Sequence, residues 1–178
     1  VFEVYEMSYN FYLKEKDFNK LGCLILNFMV TKLPLALVKE YAEVYVISLS
    51  HLQHDMDKCL LFLRNTWQDT ELTSISRQLL DLSLIYSCQT GSPCDWFKIV
   101  STFPTGSLIY EYLTRCPAFN EMEQRTWKLI KKCYNQIPSK FLVDGWFQGM
   151  IDMAELQKRY DIVFSSKENK IVLFKGRK

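Results

Sequence analysis

The chain holds only two histidines, six glycines and five prolines among its 178 residues, and what is scarce or missing closes off several classes of function. Both histidines, His51 and His54, fall in one stretch, SHLQHDMDKC at 50–59, so no third imidazole exists to complete a metal centre. The six cysteines, at 23, 59, 88, 94, 116 and 133, include no CxxC pair. No GxxxxGK[ST] or GxGxxG loop offers backbone amides to a phosphate, and no GxSxG elbow positions a serine nucleophile. Long apolar runs are missing too. The longest, LGCLILNFMV at 21–30, contains Asn27 and is flanked by Lys20 and Lys32, whereas a membrane-spanning helix needs about 20 apolar residues. It reads as a buried helix, and no membrane partner is expected. No secretory signal is visible.

What is present is a folding composition: 48% hydrophobic, 15% aromatic and 24% charged residues, enough for one domain with a sizeable core. The chain begins at Val1 inside an amphipathic stretch, and a domain of a larger intracellular protein, cytoplasmic or nuclear, is expected. Most cysteines lie in apolar helical stretches, which suits buried free thiols; Cys88 and Cys94, flanking QTGSP, are the pair close enough in sequence to bridge. The net charge of +2 is unevenly spread. Residues 1–124 carry 10 Lys/Arg against 15 Asp/Glu, and residues 125–178 carry 12 against 5.

Apolar residues recur at helical spacing through residue 160. Helices are expected at 2–13, ending near KEKD, at 18–32, 35–49, from Ser50 onward, at 71–88, 94–103, 107–116 and 120–137. Ser50 with Gln53, and Asn120 with Glu123, fit capping patterns in which a side-chain oxygen accepts a first-turn amide proton. Asp152 and Glu155 mark a shorter helix, MAELQKRY. Then DIVFSS and KIVLF, around a polar KENK, read as a β-hairpin. A helix followed by a hairpin suits either a winged-helix element or a cap over the helical stack, and the cap is preferred. The expected fold class is all-α: stacked antiparallel helical hairpins, as a repeat-like array or an irregular bundle, over 1–138, with helices and a hairpin cap over 139–178 of the same domain.

Pro34, Pro104 and Pro138 each follow an expected helix at intervals of 70 and 34 residues, so a unit of 34–35 residues fits, with a boundary near Trp67-Gln68-Asp69. With Gly22 at the place where such a unit closes its helices, residues 1–138 weakly resemble tetratricopeptide and pentatricopeptide repeats. Asn10, Met29, Ile99 and Cys133 depart from that pattern where small residues are usual. The resemblance implies stacked helix pairs that offer extended binding surfaces.

A helix starting at Ser50 turns Leu52, Met56, Cys59, Leu60, Leu63 and Trp67 to the core and leaves His51, beside Asp55, at its margin. Cys59 then points away from His54. Two ligands at most do not make a closed zinc site, which takes about four, so neither metal nor cofactor nor catalytic residue is expected. Two adjacent aromatic pairs, Trp96-Phe97 and Trp146-Phe147, mean either burial on two sides or an exposed partner anchor; they are the candidate protein-docking surface, centred on Trp146 and Phe147. The alternative is RNA or DNA binding through Arg125, Lys128, Lys131 and Lys132 on one helix flank, extended by Lys158 and Arg159 and by Lys175, Arg177 and Lys178 of the tail. The expected function is a non-catalytic scaffold that binds a protein partner.

Overall fold

The computed structural model describes residues 2–30, 35–67, 74–165 and 170–174. Pro34, the boundary at Gln68-Asp69, most of the KENK turn and the tail lysines and arginine lie outside the described residues. Nine α-helices are described: α1 Phe2–Lys14, α2 Phe18–Val30, α3 Leu35–His51, α4 Met56–Thr66, α5 Ser74–Ser87, α6 Pro93–Thr102, α7 Leu108–Arg115, α8 Pro117–Cys133 and α9 Met153–Arg159. A π-helical turn spans Phe141–Trp146, and three short strands are β1 Gln136–Pro138, β2 Val163–Phe164 and β3 Ile171–Leu173. The fold is all-α with a small antiparallel sheet, as the periodicity indicates.

Packing follows from α3, an apolar helix buried on nearly every side from Val38 onward. It contacts α2, α4, α5 and α7. Such a helix has little solvent face beyond Lys39 and Glu40, so its neighbours close around it. Phe18 of α2 meets Tyr112 of α7 edge-on at 5.7 Å, which closes one side. Turn chemistry separates the helices. Ser92 caps α6 with Pro93 in its first turn, and Ser107 caps α7; both devices satisfy or remove amides that lack helical partners. The Asp152/Glu155 box caps α9 as expected.

Two expected caps are displaced. Ser50 does not start α4. It lies in the last turn of α3, with its hydroxyl 3.3 Å from the Val46 carbonyl, and α4 is capped by Asp55, which accepts from the Lys58 amide at 3.0 Å. Asn120 does not start α8. The helix begins a turn earlier at Pro117, where a ring with fixed φ and no amide proton suits a first turn, and Glu123 faces inward instead. The cysteines are all free; Cys59 and Cys116 are buried, whereas Cys23, Cys88 and Cys133 are exposed, contrary to the expected burial.

At the C-terminal end, β2 and β3 pair antiparallel as the hairpin predicts. The sheet has a third member. β1 pairs antiparallel with β3, Ile137 opposite Val172 and Pro138 opposite Ile171, giving the order β1-β3-β2. Pro138 therefore lies in an edge strand, a place that tolerates proline. Phe147 anchors this end on the helices. Its ring is fully buried 5.3 Å from Phe97, which in turn meets Trp96 and Phe119.

Candidate functional site

Three places hold the residues singled out above: a buried histidine centre, the aromatic pairs, and the basic face of α8. The histidine centre forms where α3, α5 and α6 meet. Trp96 Nε1–H donates to His51 Nε2 at 3.0 Å. That bond leaves Nε2 as the unprotonated nitrogen, so the ring proton sits on Nδ1 and is donated to Ser50 Oγ at 2.8 Å. Ser83 Oγ lies 2.8 Å from Ser50 Oγ, and Cys59 Sγ 3.6 Å from Ser83 Oγ. The His51 ring also stacks on Tyr86 with centroids 4.3 Å apart.

Burial lowers the His51 pKa to about 3, and the nearby positive Arg125 acts in the same direction. Burial likewise pushes the Cys59 thiol up. A neutral imidazole with both nitrogens engaged and a thiol kept protonated make a structural network rather than a nucleophile–base pair. Sequence placed His51 at a helix margin beside Asp55. It is instead buried, and Asp55 pairs with Lys58 at 2.8 Å. The reason is that α3 runs on to His51. Among the described residues, no three His, Cys, Asp or Glu side chains are grouped to hold a metal.

The aromatic pairs separate. Trp96, Phe97 and Phe147 are each 0% exposed, so in this fold they form core, not the exposed alternative. The adjacent rings are both buried because α6 is covered on two sides, by α5 and α8 and by the π-helical turn. Trp146 is half-buried and meets Tyr134 edge-on at 5.9 Å.

The basic residues divide as well. Arg125 is committed: it bonds Glu121 Oε1 at 2.6 Å and the Tyr86 carbonyl at 2.7 Å, and lies over the Tyr86 ring. Arg159 on α9 reaches the carboxylate of Glu123 on α8, which is 1% exposed. The Tyr160 hydroxyl also bonds Glu123, and burial together with that carboxylate raises the Tyr160 pKa. Tyr160 stacks on Trp127 at 4.4 Å. Lys128, Lys131, Lys132 and Lys158 are exposed, with no ion pair to any of them among the described residues.

Sequence reasoning missed one surface, on the first hairpin. Val4, Met7 and Phe11 form an exposed stripe on α1, opposite buried Tyr9 and Leu13, and Leu26 and Val30 form another on α2. The spacings i, i+3, i+7 and i, i+4 were legible. Reading α1 as simply amphipathic and α2 as a buried helix hid that each carries a second apolar face.

Comparisons of the chain with protein-family models, with curated proteins and with solved structures give no match. Among the described residues, no helix is long and apolar enough to cross a membrane.

Proposed function

We propose that the chain is a non-catalytic helical scaffold that docks a protein partner on the outer face of α1 and α2. The observation behind this reading is the paired stripe, in which Met7 and Val30 are 72% and 71% exposed. Apolar area open to water is unfavourable by about 25 cal/mol per Å², and each helix exposes more than one large apolar side chain on one face. Residues at i, i+3 and i+7 form a ridge that fits the groove of a partner helix, so the partner's contact surface is an apolar helical groove. The engaged polar groups of the histidine centre support the absence of catalysis there.

The triple variant Met7→Asp, Phe11→Asp, Leu26→Asp tests the reading. These side chains are exposed, so stability should change by only about 0.5 kcal/mol per substitution. The expected outcome is a partner retained from lysate by the wild type, lost by the variant, and bound again as purified protein with an affinity at least about tenfold weaker for the variant. Identical partners for both proteins would reject this surface. A wild-type dimer in sedimentation velocity that the variant abolishes would reassign the face to a second copy of the chain.

A further inference from the structure

A second surface lies on α8 and α9 and shares no residue with the apolar stripes of α1 and α2. From Gln124 to Val143 the sequence carries Arg125, Lys128, Lys131, Lys132 and Lys140 and no acidic residue. The fold concentrates this run. Lys128, Lys131 and Lys132 project from the last two turns of α8, and the two acids just before them are already engaged, Glu121 by Arg125 and Glu123 by Arg159. Three lysine charges therefore stand without a counter-charge among the described residues.

The α8 ridge is flanked by two concavities. A groove of about 630 Å³ between α8 and α9 is bordered by Lys128, Lys131, Arg159, Trp127 and Tyr160, and by Glu123, whose carboxylate Arg159 pairs. On the other flank, a groove of about 400 Å³ is bordered by Arg125, Lys128 and Lys132, with no acid in its wall. Lys128 belongs to both. In the larger groove Tyr160, half-buried, is backed on one face by Trp127. This gives a rigid aromatic platform beside two free ammonium groups.

We infer that this face binds single-stranded nucleic acid, with phosphates on Lys128, Lys131 and Lys132 and a base against Tyr160 in the α8–α9 groove. Cationic grooves that track a backbone, combined with aromatic stacking, are what a flexible single strand requires. A duplex hides its base faces and cannot use the ring. An acidic peptide would match the charge and leave the Tyr160 platform without a partner. The Glu123–Arg159 bond positions the groove by tying α9 to α8, and it neutralises the Glu123 carboxylate, which is 1% exposed.

Fluorescence anisotropy with a labelled single-stranded RNA of about 15 nucleotides, and with DNA of the same length, tests the inference. Lys128→Ala, Lys131→Ala, Lys132→Ala is the paired variant; among the described residues none of these side chains holds an ion pair, so the fold is retained, which far-UV circular dichroism checks. Binding in the micromolar range at about 50 mM salt is expected, at least about tenfold weaker in the variant, with the slope of log K against log salt reduced by about 2. No binding to either strand at low salt overturns the inference. So does binding that the triple variant leaves unchanged. A polyglutamate peptide that competes as effectively as RNA, charge for charge, would assign the face to an acidic protein segment instead and overturn it too.

Discussion

His51→Ala should lower the stability of the fold by about 3 kcal/mol, measured by urea unfolding at pH 7.5. The substitution unpairs the Trp96 indole N–H, fully buried at 0% exposure, and a buried donor left without an acceptor costs about 1–3 kcal/mol. It also removes the ring stacked on Tyr86 and opens a cavity among α3, α5 and α6. His51→Gln keeps a side-chain oxygen as an acceptor and should recover part of the loss. The same centre sets a pH dependence. The folded pKa of about 3 lies below the unfolded value of about 6.5. Between those values the unfolded chain takes up a proton that the folded chain does not. This contribution is therefore complete above about pH 6.5 and falls as the pH drops toward 3, by about 2 kcal/mol between pH 7 and pH 5. His51→Ala should remove that part of the profile. An unchanged profile in the variant would show that the ring is not held neutral in the folded state.

Phe147→Ala should cost about 3–5 kcal/mol, the range for emptying a fully buried aromatic site. The loss should concentrate at the C-terminal end. Phe147 follows the π-helical turn and packs on Phe97 of α6, and Cys94 Sγ–H donates to the Gly145 carbonyl beside it at 3.3 Å. Hydrogen exchange in residues 136–164 and 170–174 should therefore accelerate more than in α3, whose partners are untouched. Had Phe147 been an exposed partner anchor, the same substitution would leave stability within about 0.5 kcal/mol and weaken binding alone. Unfolding and exchange together separate the two roles without a partner in hand.

These two residues also show where sequence is a sufficient guide and where it is not. Helical periodicity located most of the helices because a 3.6-residue apolar repeat has few other solutions. The α9 box and the β2–β3 hairpin were legible for the same reason: both are set by residues within a few positions of one another. Exposure of Lys128, Lys131 and Lys132 followed from their place on the polar flank of an amphipathic helix.

The start of α4 was not legible. Ser50 with Gln53 and Asp55 with Lys58 are both local capping possibilities. The choice fell to α3, which runs to His51 because Trp96, Ser83 and Tyr86 arrive from later in the chain to satisfy and cover its last turn. The fate of adjacent aromatics was equally open. Trp96 and Phe97 point different ways on α6, and only helices and a turn distant in sequence make both directions interior. Glu123 has the sequence signature of a cap and becomes a buried anchor because Arg159, 36 residues on, meets it. Sequence by itself determined the fold class, most of the helices and the charge asymmetry, all of which depend on neighbours along the chain. Tertiary structure alone decided which apolar faces are covered, leaving the α1–α2 stripe open and closing over Phe147, because burial depends on the packing of segments that no local pattern encodes.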